Sequence, residues 1–407
     1  MSSATKHKWD FRARFRRNAF GWRSQPALKR IKEAVTEIRK AARKDPVLGA
    51  EGAVLLLEKL SPALEQVDSS SGAIGSAVND AIEELVPVIA GAPTDDVLRD
   101  EWLDRLWQAV QDDQMPYLEL LPDHWGELCA DPGRASRWAD ELIGIVRMSW
   151  GPDPEFRGYF KGTTACLSAL FKAGRHEEIL DLLELAPHKF WHYRRWGVKA
   201  LLAVGKNEEA LRYAEETRGL NQPGSMISEA CEEILLASGM TEEAYRRCGL
   251  EANWKSTYLA TFRAILKKYP EENPAKVLRD LVARTPGDEG KWFAAAKSAG
   301  LYEEAIELAN RAPCDPRTLT RAARDMAEKA PGFAVEAGIA ALRWLVKGYG
   351  YDITGLDVRA AYDNAMAAAE NAGCRPEATE RIRCLVAAET FGQRFVTKIL
   401  GQALGLK

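Results

Sequence analysis

The residues best suited to chemistry in this 407-residue chain lie near its start. The segment KHKWDFRARFRRNAFGWRS interleaves Trp9, Phe11, Phe15, Phe20 and Trp22 with Lys6, Lys8, Arg12, Arg14, Arg16, Arg17 and Arg23. Guanidinium groups neutralise and fork onto phosphates, and aromatic rings stack on unpaired bases. The pattern therefore names nucleic acid as one partner, reached through residues 6–44. A second reading is equally physical. Phe11 and Phe15 stand one helical turn apart and can dock on the first helices, leaving the arginines in solvent, paired with an acidic body, or facing an acidic protein partner. A membrane surface is the third reading. Charge sets this segment apart. Residues 1–44 hold fourteen Lys/Arg and three Asp/Glu, a net of +11 against −3 for the whole chain, so the rest carries −14. The segment is Arg-rich and poor in acids, as organellar transit peptides are, but it has no apolar core or small-residue cleavage site of a secretory signal.

A second aromatic-basic cluster is HKFWHYRRW. His188 and His192 stand at i, i+4, a spacing that can hold a metal on a helix. No Glu follows His188 as the HExxH motif requires, and no third ligand is apparent. The alternative is the first helix of a hairpin, with Phe190, Trp191, Tyr193 and Trp196 packed inward and Arg194 and Arg195 outside. Trp191, Arg194 and Arg195 are the residues of this cluster that could line a binding groove. The Gly-rich stretch SSSGAIGSA lacks the Lys and spacing of a phosphate-binding loop and reads as a helix cap. Asp112, Asp113 and Asp153 fall in expected turns. No Ser/His/Asp or Cys/His set stands out, so the expectation is a non-enzymatic protein with no catalytic residues, cofactor or metal.

Seven cysteines, none at CxxC spacing, argue against a disulfide framework or a zinc site. Most sit among Ala and Leu, where a thiol acts as a small core residue, and the reducing cytoplasm is the expected compartment. Apolar residues at 46% and charged residues at 28% place the chain among soluble globular proteins. No apolar run reaches the roughly 18–20 residues that cross a bilayer, so integral membrane association is not expected.

These clusters must be held by a scaffold, and the scaffold repeats. One phrase recurs: LFKAGRHEEILDLLEL, LLAVGKNEEALRYAEE, LLASGMTEEAYRRCGL and AAKSAGLYEEAIELAN. Its glycines, Gly174, Gly205, Gly239 and Gly300, are 31, 34 and 61 residues apart. Tyr269 divides the long interval into 30 and 31, Ala330 follows 30 later, and Gly373 comes after a further 43 that includes the insertion KGYGYDITGLD. Each unit reads as an Ala/Leu-rich helix ended by Gly in the left-handed conformation. A Glu pair then falls in the first turn of the next helix, where negative charge suits the dipole. The small residue five places after Gly lets the two helices approach closely. A single hairpin cannot bury its apolar faces, so neighbours must stack.

The phrase resembles the turn and second helix of a tetratricopeptide repeat. The family's Gly and small-residue positions match Gly205 and Ala210, Gly239 and Ala244, and Gly300 and Ala305; Gly174 is followed by Ile179 instead. The resemblance covers roughly residues 155–390. It implies an all-α fold, a right-handed stack of antiparallel helical hairpins (a TPR-like α-solenoid), and binding of a protein or peptide partner.

The remaining plan is an arm over 1–25, a less regular helical region over 26–150, a linker at GPDPE (151–155), and a capping helix over 391–407 that places Phe391, Phe395 and Ile399 four apart. The expected function is an interaction scaffold with the arm as a second contact. A nucleic-acid-associated accessory protein is the alternative.

Overall fold

A computed structural model describes residues 7–406, which leaves Lys6 of the arm outside the described residues. Among them every regular element is helical, and no helix is long and apolar enough to cross a membrane. The chain divides into two compact units, Met1–Pro223 and Gly224–Lys407. The GPDPE segment is therefore not a boundary. It lies inside the first unit as a turn that bonds back to the preceding helix, with Gly158 N–H donating to Ser149 C=O at 3.1 Å.

In the first unit a 3-10 turn, Phe11–Ala13, precedes α1 (Ser24–Ala42), α2 (Pro46–Leu64), α3 (Ala73–Ala90) and α4 (Asp96–Asp112). Side-chain caps set the ends. Asp45 accepts from Leu48 N–H before Pro46, and Asp95 accepts from Leu98 N–H. Such caps contribute about 1 kcal/mol each. At α3 the cap differs from expectation. Gly72 takes the left-handed conformation, and Ser71 Oγ accepts from Ala73 N–H at 3.4 Å. Helices α1, α2 and α3 pack on one another through Ile31, Leu57 and Ile82. A 3-10 turn, Leu121–His124, leads into α5 (Trp125–Leu128), then α6 (Pro132–Trp150). Trp125 meets Trp107 and Trp138 edge to face at 5.4 and 5.0 Å between ring centroids. Two hairpins complete the unit: α7 (Thr163–Lys172) with α8 (His176–Glu184), and α9 (Trp191–Ala203) with α10 (Asn207–Glu215).

The second unit opens with α11 (Gly224–Ala237) and α12 (Thr241–Ala244), which passes through a π turn, Tyr245–Gly249, into α13 (Leu250–Ala252). It continues with α14 (Tyr258–Lys268), α15 (Pro274–Arg284), α16 (Phe293–Ser298), α17 (Tyr302–Arg311), α18 (Pro316–Met326), α19 (Pro331–Val346), α20 (Gly355–Asn371), α21 (Arg375–Ala387) and α22 (Phe395–Leu400).

Each centre expected from the repeated phrase falls in a turn between two consecutive helices that pack on each other. At Gly174, Gly205, Gly239, Gly300 and Gly373 the turn is the same. The glycines have φ between 68° and 77°. The glycine N–H donates to the carbonyl three residues back, and the next N–H donates to the carbonyl five back, as Gly205 to Leu202 (3.0 Å) and Lys206 to Leu201 (2.9 Å). This is a Schellman closure, which satisfies the last carbonyls of one helix while reversing the chain. Ile179, Ala210, Ala244 and Ala305 are fully buried, so the Ile in the first unit is accommodated at the same contact. Tyr269 and Ala330 differ. Their φ values, −122° and −146°, are not left-handed, and the helices that follow start at Pro274 and Pro331. The insertion supplies a further Schellman closure at Gly348.

The C-terminal helix is shorter than expected and turned. It starts after Arg394, itself left-handed at φ 56°, and buries Val396 and Leu400 with Leu404 beyond, while Phe391 and Phe395 stay exposed. Glu389 fixes this register. Its buried carboxylate accepts from Val396 N–H at 2.9 Å and Thr397 N–H at 2.7 Å.

Candidate functional sites

The arm is split by face. Trp9, Phe11 and Phe15 are 5%, 2% and 1% exposed and belong to the core of the first unit. Their rings form a ladder with Phe20, at centroid spacings of 5.4, 6.3 and 5.3 Å. The backbone is stitched down as well. Asp10 and Phe11 N–H donate to the Glu37 carboxylate of α1 at 2.8 and 3.2 Å. Asn18 N–H donates to Pro62 C=O at 3.0 Å, and Trp22 C=O accepts from Asp68 N–H at 2.9 Å. Stacking of bases on Trp9, Phe11 or Phe15 is thus closed off. Trp22, 73% exposed, keeps that option.

The cations point outward. Arg14 pairs with Glu33 at 3.0 Å and Arg17 with Glu65 at 3.2 Å. Glu33 also takes Arg30, whose hydrogen bond holds its carboxyl below the ordinary value. Arg12, Arg16 and Arg23 are exposed and form no ion pair among the described residues. Arg14, Arg16, Arg17 and Arg30 border a shallow cleft of about 540 Å³ beside Phe20. Four guanidiniums against the two carboxylates of Glu33 and Glu65 make this surface able to hold oxyanions.

The second cluster separates. Trp191 is buried at the start of α9, its N–H donating to Gln222 Oε1 at 2.9 Å. Arg194 does not lie outside. It is 5% exposed, donates to Thr217 Oγ1 at 2.8 Å and Tyr213 C=O at 3.3 Å, and stacks 3.6 Å over the Tyr213 ring. Its reach across to the segment ending the hairpin makes it a structural clamp between α9 and α10. Of Trp191, Arg194 and Arg195, Arg195 reaches an open groove of about 830 Å³, which Trp196 also lines, and there it pairs with Asp123. Lys199, one turn on, places its ammonium 4.3 Å over the Trp196 ring. Burial there pushes its pKa below the ordinary lysine value, and Arg195 adds to the shift.

His188 and His192 do not converge on a common ligand site. His188 packs on Phe190 at 5.2 Å, while His192 borders a separate cavity. Among the described residues no group of three or more His, Cys, Asp or Glu side chains gathers in a metal-holding arrangement. Cys129, Cys166, Cys231, Cys248 and Cys314 are buried, Cys374 is half-buried and Cys384 exposed. Burial pushes the thiols of Cys129, Cys166 and Cys314 up to about 12, so they are core groups and not nucleophiles.

Three polar residues matter more than their sequence context suggested. Asp113, expected in a turn, is buried where α4 ends, and accepts there from Ser61 Oγ and from Leu118 N–H at 2.7 Å. Burial raises its pKa. Lys161 caps the same helix end, its ammonium donating to the carbonyls of Val110 and Gln111 at 3.1 Å and to that of Asp113. Arg134 is buried among Asp96, Asp100 and Asp131. Ser61 lies 52 residues from Asp113, and Val110 lies 51 from Lys161, so no local spacing announces these contacts. Compared with protein-family models and with curated proteins, the chain matches none.

Proposed function

We propose that this chain is a non-enzymatic interaction scaffold, a TPR-like α-solenoid that holds a protein or peptide partner on the surface of its hairpins, in the cytoplasm, with the outward face of the arm as a second contact. The observation that carries the reading is the recurrence of one turn. The same Schellman closure, with an acidic pair in the following turn and a fully buried small or apolar residue after it, joins consecutive packed helices. A stack of that kind spends its repeated residues on folding and leaves its outward residues free to specify a partner. Lys199, exposed on α9, is such a residue. The free thiols suit a reducing compartment.

Deleting the arm is a poor test, because Trp9, Phe11 and Phe15 are core residues. The suitable variant is Arg12→Glu/Arg16→Glu/Arg23→Glu, which changes only exposed groups. Affinity capture with the full chain and with this variant, each with and without nuclease, tests the reading. A specific protein retained under all four conditions is the expected result. Loss of every partner on nuclease treatment would sink it.

The arginine-lined cleft and the exposed Trp22 favour a second reading, an accessory protein that holds nucleic acid phosphates through the arm. Fluorescence anisotropy with a labelled single-stranded oligonucleotide at about 50 and about 200 mM salt tests it, since phosphate contacts weaken steeply with salt. Binding that falls with salt and disappears in the triple variant is expected. Absent or salt-independent binding rules this reading out.

A further inference from the structure

We propose that a cavity in the first unit binds an alkylated ammonium ion, either free or on the lysine side chain of a partner. The cavity has a volume of about 310 Å³ and is bordered by Tyr159, Phe160, His192 and Tyr193, with Glu119 and Asp113 on the same lining. That size is at the low end for small-molecule pockets. Three segments distant in sequence build it: the end of α4 and the loop after it, the stretch before α7, and the first turn of α9.

The charge balance selects the ligand. Lys161, the one lysine on the lining, spends its ammonium on three carbonyls at the end of α4. Asp113 is engaged by Ser61 and the Leu118 N–H. Glu119 is exposed and forms no ion pair or hydrogen bond among the described residues. Desolvation of the His192 imidazole lowers its pKa from the ordinary value. The phenol of Tyr193 is pushed up, chiefly by burial, with Glu119 adding to the shift, so its ring stays neutral. With Lys161 held on the carbonyls of α4 and the Glu119 carboxylate unpaired among the described residues, the lining disfavours an anion.

The rings then select among cations. An aromatic face carries negative charge density and attracts a cation held over it, most strongly where water is excluded. Alkyl groups on nitrogen also remove the hydrogen-bond donors that tie a simple ammonium to water, and they match the apolar walls. Tyr193 is fixed in place by Trp150 at 5.2 Å and Phe190 at 6.4 Å, so this wall is formed before a ligand arrives. Tyr159, largely exposed, stands at the rim and can close over a ligand head. This site does not rest on the scaffold reading, which would stand if the cavity held only a free ion.

Isothermal titration calorimetry on the full chain tests the proposal with tetramethylammonium chloride, choline chloride, ammonium chloride, and a pair of peptides carrying either trimethyllysine or lysine. Saturable binding of the alkylated ions, about fivefold or more tighter than ammonium, is expected. Tyr159→Leu and Glu119→Gln each weaken it by about fivefold; both side chains are exposed, and unchanged thermal unfolding of the two variants confirms that the fold is intact. Tighter binding of the trimethyllysine peptide than of the free ions assigns the cation to a partner, and equal or weaker binding assigns it to a small molecule. No saturable heat with any alkylated ammonium, or equal affinities in wild type and both variants, overturns the proposal.

Discussion

The indole of Trp9 lies against Gly52 of α2, so closely that a Cβ on that glycine would stand 2.4 Å from the ring. A helix-interior glycine is ordinarily a weakness that Ala repairs by about 0.5–1 kcal/mol. Here the missing side chain is the seat for the arm. Gly52→Ala is expected to destabilise the first unit by about 1–3 kcal/mol, because the indole must be displaced from a packed position. Trp9→Ala should cost about 3–5 kcal/mol. Urea unfolding followed by tryptophan fluorescence measures both. A stabilised Gly52→Ala protein would contradict the docked arm.

The repeated glycine has the opposite rationale. Gly205 stands at φ 77° with open space where a Cβ would go, so only its backbone conformation excludes other residues. Gly205→Ala should cost about 1–2 kcal/mol from left-handed strain alone. Gly144 in α6 also faces open space but has helical dihedrals, and Gly144→Ala should stabilise by about 0.5–1 kcal/mol. The opposite signs at two uncrowded glycines separate conformation from packing, and the same unfolding measurement reads both.

The sequence made the hairpins legible because their device is local. The Gly, the Glu pair and the small residue lie within six positions, and each does its work within one turn. It made the arm only half legible. Spacing showed that Phe11 and Phe15 share a face, but the groups that hold the arm, Gly52 under Trp9 and the Glu37 carboxylate on the Asp10 and Phe11 N–H groups, lie tens of residues away. Arg194 was misplaced for the same reason. A basic residue on an amphipathic helix reads as solvated unless its partners, here Thr217 and Tyr213, are known to face it. The aromatic cavity was not legible at all, since its rings come from segments joined only by the fold.

Asp357 ties the insertion to the helix that follows it. Its carboxylate accepts from Thr354 N–H at 2.8 Å in a capping box and takes both arms of Arg317, at 2.8 and 3.0 Å. The Arg317 hydrogen bond, then the Thr354 N–H, holds its carboxyl well below the usual carboxylate range. A depressed pKa contributes stability above the unfolded value and loses it as pH falls below that value. Asp357→Asn should therefore cost about 1 kcal/mol at neutral pH, as loss of a cap does. The difference from wild type should narrow once pH drops below about 4. Urea titrations of both proteins across that range check it, and a gap that widens in acid would refute the assignment.

Tyr269 and Glu232 carry the linkage between α11 and α14 in the second unit. Glu232 is buried, and its carboxylate accepts from Tyr269 Oη at 2.5 Å and from Asn253 Nδ2 at 2.6 Å, with Lys268 Nζ at 3.4 Å. Tyr269→Phe keeps the ring but removes one donor from a buried carboxylate, an expected cost of about 1–3 kcal/mol. The alkaline limb carries a second signature. Burial, followed by the bond to Glu232, raises the phenol's pKa above the ordinary value. A group with a raised folded pKa stabilises fully below its unfolded value and loses that contribution as pH climbs toward the folded one. Wild-type stability should thus fall above about pH 10, and Tyr269→Phe should fall less steeply over the same interval. Equal slopes in the two proteins would mean that the phenol is not held by Glu232, and that the tyrosine standing where five of the hairpins have glycine does not link α11 to α14.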